Sequence, residues 1–347
     1  MTFMIVACLK HVKNALIAVY TKSTVLILCG FFVVLCFPNP VVAKPLYGVH
    51  LFSPSEVQSA HEYIEHYAPD NQVSTVVVPF LASDLTSAEK KQSWVVFFES
   101  CKRLNILPII RLATELDSTG WRVPTHRDII ESATFLASME WPDESRKYVI
   151  VFNEPNHANE WGGTLNPEQY AHLAVFASQW FRDEDVGFIL MPAGLDLAAP
   201  NGTRTMEAFT FWDRALEAEP ELFSLFGAWS SHSYPNPAFS GSAFDTKQNS
   251  IRGFAHERAY LEKKTGRVLP IFITETGWAN TPKNLRTLRK NIEYAVNTVW
   301  DTDEIVSIAP FVLRGDPGPF AEFGLVRDGG KLSETGKIWV ETLSKMK

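Results

Sequence analysis

The sequence has little cysteine chemistry to offer. Of its four cysteines, Cys8, Cys29 and Cys36 fall within the first 43 positions, which leaves Cys101 alone in the rest. An internal disulfide framework beyond residue 43 is therefore excluded. That part of the chain must rest on a large apolar core, which about 300 residues can supply. Nucleotide-binding loops are missing as well, since neither a Gly-x-Gly-x-x-Gly nor a Walker-type loop follows any apolar run. There is no Gly-x-Ser-x-Gly elbow for an esterase and no His-x-His after the first strand for a metal-dependent hydrolase. His61-Glu-Tyr-Ile-Glu-His66 spaces its histidines one residue too far apart to share a helix face as a zinc site. No cofactor and no metal is expected. Gly/Ser linkers, low-complexity tracts and short repeats are absent from residues 45–347, so a single domain is expected there.

Acidic residues are also missing from the first 55 positions. Lys10, Lys13 and Lys22 precede an uncharged stretch from Ser23 to Ala43. A basic lead, a short apolar run and a small-residue exit at Val41-Val42-Ala43 make a secretory signal, with cleavage expected after Ala43. An uncleaved membrane anchor is the alternative, but Pro38 and Pro40 would break a spanning helix near its end. The expected location is thus secreted, periplasmic or cell-envelope. Loss of residues 1–43 removes three lysines and no acid, which carries the net charge from −7 to −10. Such a surface does not suit nucleic acid. No protein partner is implied.

What is present is a repeating pattern. Apolar β-type runs recur at Leu46–Phe52, Val73–Phe80, Leu107–Leu112, Tyr148–Asn153, Val186–Met191, Phe226–His232, Leu269–Glu275 and Ile305–Leu313. Near-continuous apolar runs suit strands buried on both faces of a parallel sheet. Helical patterns alternate with them at Ser55–Tyr67, Ala88–Leu104, Arg127–Met139, Pro167–Asp183, Arg204–Ala218, Asn249–Thr265, Asn284–Thr302 and Lys331–Ser344. Eight such repeats predict a single α/β domain over residues 44–347, a (β/α)8 TIM barrel. An open doubly wound sheet is the rival.

In a barrel of this kind the site lies at the C-terminal ends of strands. Two apolar runs end in a glutamate. Tyr148-Val-Ile-Val-Phe152 leads into Asn153, Glu154 and Pro155. Leu269-Pro-Ile-Phe-Ile-Thr274 leads into Glu275, with Gly277 and Trp278 following. Apolar walls favour the protonated form of a carboxyl group, which suits a general acid. The fourth and seventh strands lie across a closed mouth from one another. Two carboxylates facing over a cleft are what glycoside hydrolysis requires. Trp278 offers an aromatic face for a sugar ring.

Asn153-Glu154-Pro155 at the end of strand four, with Glu275 at the end of strand seven, resembles the large clan of (β/α)8-barrel retaining glycoside hydrolases, which includes cellulase- and β-xylosidase-like families. The resemblance covers essentially the whole chain after residue 43. It implies Glu154 as acid/base, Glu275 as nucleophile and Asn153 as the partner of the sugar 2-hydroxyl. By looser match it implies that Arg111 orients and ionises the nucleophile, that His232 and Tyr234 stand against it, and that His50 binds the sugar beside the scissile bond. Taken singly, Arg111 also reads as a structural ion pair, and His232, Tyr234, His50 and Trp278 as packing residues. The sequence departs from the clan at strand eight, where many members carry a Trp; here Phe311 or Arg314 stands nearest. The expected substrate is an oligo- or polysaccharide, cut with retention, which implies carboxylates ~5–5.5 Å apart. A non-catalytic sugar-binding barrel and a transglycosylase with the same catalytic pair are the alternatives.

Overall fold

The computed structural model of the protein describes residues 44–69 and 72–346. The expected export signal over residues 1–43 lies outside the described residues. Among the described residues, eight strand positions alternate with eight α-helices. The first strand, β1, comes in two pieces, Leu46–Tyr47 and Val49–His50. It is followed by β2 (Ser74–Leu81), β3 (Ile106–Ala113), β4 (Lys147–Val151), β5 (Phe188–Pro192), β6 (Trp229–His232), β7 (Ile271–Thr276) and β8 (Ile305–Pro310). The helices are α1 (Val57–Glu65), α2 (Ala88–Arg103), α3 (His126–Ala137), α4 (Pro167–Glu184), α5 (Ala208–Ala218), α6 (Gly253–Thr265), α7 (Leu285–Tyr294) and α8 (Glu334–Leu343).

The two pieces of β1 decide between barrel and open sheet. Val49 and His50 pair with β2, while Leu46 and Tyr47 pair with β8, all in parallel. From β2 the ladder continues through β3 and β4 to β5. From β8 it runs through β7 to β6. The remaining seam is drawn together by Gly227, whose N–H donates to the Leu190 carbonyl at 3.0 Å, and by a parallel bridge between Asp196 and His232. The sheet is therefore a closed barrel, and no doubly wound edge is left open.

The strands are buried because both their faces are covered. Val77, Ile109, Ile150, Met191 and Phe272 fill the barrel interior. A larger apolar layer separates the strands from the surrounding helices. Helix starts follow local chemistry. The Ser87 hydroxyl accepts from Lys90 N–H, Thr125 and Asp128 form a reciprocal capping box, and Asn166 caps a helix whose first residue is Pro167.

The expected elements differ mainly at their ends. The eighth strand was expected to reach Leu313, yet its ladder stops at Pro310. Beyond it, Phe311 N–H still donates to Thr276 O at 2.8 Å, and Leu313 N–H to His50 O at 2.9 Å. The chain thus stays pinned at the mouth after regular pairing ends. Helix α7 was expected to run to Thr302, but it gives way after Tyr294 to a π turn over Ala295–Val299. Helices α5 and α6 begin about a turn later than expected. Ahead of α5, Thr205 pairs with His157 across the loops.

Candidate active site

The end of β4 is a distorted strand. After Val151 the chain turns through Phe152 at φ 73 and Glu154 at φ 35, both in the left-handed region. Non-glycine residues there cost on the order of 1–3 kcal/mol each, and such strain persists only where surrounding structure holds it. Here Glu154 N–H donates to Gly194 O at 3.1 Å, and the Tyr170 hydroxyl donates to Val151 O at 3.3 Å. The effect is to turn Glu154 into the mouth.

The end of β7 achieves the same by a bulge. Ile273 is in register with Ser231, but Glu275, not Thr274, is in register with His232. One extra residue on β7 re-aims the next side chain, a known use of bulges beside active sites. Glu275 therefore faces Glu154. One oxygen from each carboxylate and a ring nitrogen of His232 lie within 4.8 Å of one another.

The supporting residues differ between the two carboxylates. Glu275 Oε1 accepts from Arg111 Nη1 at 2.9 Å, and His50 Nε2 lies 3.4 Å away. Its Oε2 accepts from the Tyr234 hydroxyl at 3.0 Å. Burial alone would raise the Glu275 carboxyl, but His232, His50, Arg111 and Tyr234 outweigh it and hold the group below the usual carboxylate range. Burial drives His50 down to about 3, against the pull of Glu275, so His50 is neutral near pH 7. The fixed cation beside Glu275 is thus the Arg111 guanidinium, with the His232 imidazole beside it also favouring the anion. Burial keeps the Tyr234 phenol protonated, reinforced by Glu275 and Glu154 nearby, and it remains a donor.

His232 joins the two glutamates. Its Nδ1 is 2.8 Å from Glu154 Oε1, and its Nε2 is 3.8 Å from Glu275 Oε1. Burial pulls this imidazole down, but Glu275 and Glu154 overcome that and leave it above its ordinary value. Only glycine at position 194 allows the ring to sit there. A Cβ on Gly194 would stand 2.2 Å from His232 Cδ2.

A cavity of about 680 Å³ opens over this centre. Glu154, Glu275, Arg111, Asn153 and Tyr234 all line it. Asn153 accepts from Arg111 Nη1 through Oδ1 and donates through Nδ2 to Glu160 Oε2 at 3.0 Å. Glu160 was not singled out from sequence. It lies on a 3-10 turn, Ala158–Glu160, and burial raises its carboxyl, partly offset by the Asn153 amide. His157 and Asp196 form a second pair on the wall, 2.9 Å apart. Asp196 raises the imidazole, and the Asp196 carboxyl lies below its usual range because His157 and the Ala198 N–H outweigh burial.

Two expectations are corrected. Trp278 is not a platform for substrate. Gly277, at φ 149, swings it away from the mouth, and its indole N–H donates to Gly241 O at 2.8 Å while the ring packs near Trp300. His50 does not reach the cavity either. It is wholly buried behind Glu275 and Phe311, so it backs the carboxylate and cannot bind sugar. At strand eight, Phe311 takes the floor position and lines the cavity. Arg314 turns outward to Ser59 Oγ at 3.0 Å.

Glu154, His232 and Glu275 are close enough to share a metal ion. However, the His232 nitrogen is already bonded to Glu154, and the Arg111 guanidinium on Glu275 Oε1 opposes a cation there. The arrangement is better suited to proton transfer and nucleophilic attack, with one carboxylate held anionic and the other facing it across the cleft.

Comparison with known proteins agrees with this chemistry. The model of a family described as glycosyl hydrolase catalytic core matches residues 113–339. No protein of curated function matches the sequence. Several solved structures share the fold. A glucosidase from Croceicoccus marinus superposes with a TM-score of 0.63 at 11% identity, over 86% of this chain and 67% of its own. A GH128 (subgroup II) endo-β-1,3-glucanase from Sorangium cellulosum gives 0.53 at 17% identity, over 86% and 97%. A family 39 glycoside hydrolase from Bacteroides cellulosilyticus gives 0.58 at 17% identity, over 87% and 64%.

Proposed function

We propose that this chain, which belongs to the glycosyl hydrolase catalytic core family and is a glycosidase, cleaves β-linked oligo- or polysaccharide with retention of configuration. The observation that carries the mechanism is the approach of the Glu154 and Glu275 oxygens within 4.8 Å. An inverting enzyme needs carboxyl groups roughly 6.5–9.5 Å apart to admit a water, whereas a retaining one places them ~5–5.5 Å apart.

The partners of each carboxylate divide the roles. Glu275 is held anionic by Arg111 and His232 and oriented by Tyr234, so it attacks the anomeric carbon. Glu154 protonates the departing oxygen. It then takes a proton from water, which releases the sugar from Glu275 and restores both groups. Asn153, gripped by Arg111 and Glu160, presents its amide to the sugar beside the scissile bond.

The test is the anomeric configuration of the first product, followed by proton NMR on an aryl β-glycoside before mutarotation. Retention is the expected result. Initial release of the α-anomer would rule out double displacement at this pair.

A further inference from the structure

We propose that an open trough beside the catalytic cavity is a second carbohydrate-binding site, which holds a neutral glycan chain whose scissile bond lies at Glu154 and Glu275. The enzyme is then endo-acting. This inference rests on the glycosidase reading above and goes beyond it, because it says how far the substrate extends.

The trough measures about 670 Å³, as large as the catalytic cavity. Trp121 and Glu160 line both spaces. The two spaces therefore adjoin at these residues, and the proposed chain runs from one to the other along them.

The trough is built by loops that are tied together. A short antiparallel hairpin after β3 pairs Leu116 with Trp121 and Asp117 with Gly120. Gly162 N–H, on the loop after β4, donates to Trp121 O at 2.7 Å. Ala158 N–H on the same loop donates to Arg204 O at 2.9 Å, which draws in the loop after β5. Three glycines sit where these loops meet, all at positive φ: Gly120 at +131, Gly162 at +62 and Gly163 at +80. A Cβ on Gly120 would lie 2.2 Å from Asn159 O. Glycine therefore keeps the loops in contact and leaves bare backbone along the floor.

The lining suits a sugar. Trp121 supplies an aromatic surface, and Thr119, Asn159 and Arg204 supply polar groups around it. The Arg204 guanidinium already donates to Asn159 Oδ1, so the two are held in place together. Arg204 is the one cation of the lining and Glu160 the one anion. A neutral chain fits that balance better than a polyanion.

The test uses the full chain and a double variant, Asn159→Ala/Arg204→Ala. Probes are β-1,3- and β-1,4-gluco-, β-1,4-manno- and β-1,4-xylo-oligosaccharides of two to six units. In the parent, kcat/KM should rise at least about tenfold from the shortest cleaved member of a series to the longest, since each tenfold step reflects about 1.4 kcal/mol of added binding. The double variant should abolish the rise. A flat or falling length dependence in the parent, or a rise that survives in the double variant, overturns the proposal. Affinity of Glu275→Gln for the same oligosaccharides, by calorimetry, separates this from the glycosidase reading. If the parent cleaves no glycoside at all, that reading fails. Affinity that climbs with length and drops with the double substitution would then still support the trough, and affinity without length dependence would sink it.

Discussion

Glu275 and Glu257 are both enclosed by the fold, yet their carboxyls are shifted in opposite directions. Glu275 stands at the barrel mouth on β7 and is 7% exposed. Glu257 lies on α6, packed behind β6, and is 0% exposed. Four groups bear on Glu275, and together they overcome burial and keep it anionic. Glu257 has no hydrogen-bond partner on either oxygen. Ser231 and Trp229 lie close enough to favour its anion slightly, but burial dominates and raises its carboxyl to about 7. Burial by itself therefore marks neither a catalytic acid nor a nucleophile. The partners decide the sign, and only the partnered glutamate lines the cavity.

The largest expected effect comes from removing the two carboxylates one at a time. Glu275→Gln should lower kcat/KM by roughly 10⁴–10⁶-fold, the scale seen when a nucleophile is removed. Glu257→Gln should stay within about threefold of the parent, because a side chain away from the cavity binds neither substrate nor transition state. Kinetics on an aryl β-glycoside would check both. Comparable losses from the two variants would break the distinction.

Arg111 offers a finer test, because it supplies part of what Glu257 lacks. Replacing it with Met leaves Glu275 buried with less cationic support. Breaking a buried pair of this kind typically costs about 3–5 kcal/mol, so a fall of about 10²–10⁴-fold in kcat/KM is expected. The sign of the pH effect follows from the shift. Glu275 lies below the ordinary glutamate range in the parent, so the acid limb of kcat/KM should lie below that range too. In Arg111→Met the limb should move upward in pH, toward the behaviour of Glu257. An unmoved limb would mean that Arg111 does not govern the ionisation of Glu275.

These contrasts were unevenly legible in the sequence. The barrel was legible because strands buried on both faces must be written as unbroken apolar runs. Glu154 and Glu275 were legible because each ends such a run. Arg111, Tyr234 and His232 were legible only through the clan resemblance at their strand ends, and all three reach the glutamates. Glu160 was not legible, since its approach to Asn153 depends on a turn of three residues in a loop. Trp278 was not legible, because nearness along the chain to Glu275 is not nearness in space: Gly277 turns the indole away. Glu257 was not legible, because it stands among other polar residues of its helix. Nothing in a helical repeat reveals that this position faces the back of β6.

The smallest expected effect is on stability, and it concerns Glu257 alone. Its carboxyl is raised to about 7 in the folded chain, against an ordinary value of 4.5. Between those values the folded state holds a proton that the unfolded state has released. Stability must therefore fall as pH rises through this window, and the full penalty is present above about pH 7. A shift of this size corresponds to on the order of 3 kcal/mol. Glu257→Gln removes the titration and keeps the shape. At pH 8 it should unfold a few degrees higher than the parent, and the gain should shrink toward pH 5, where the parent carboxyl is protonated as well. Glu275 has the opposite sign. Its contribution is present above the ordinary glutamate value and is lost as pH falls through its lowered one. Thermal melts of parent and Glu257→Gln across pH 5–8 read the difference directly. A gain that is equal at both ends would show that Glu257 does not titrate in that window, and the charge contrast between the two buried glutamates would fail.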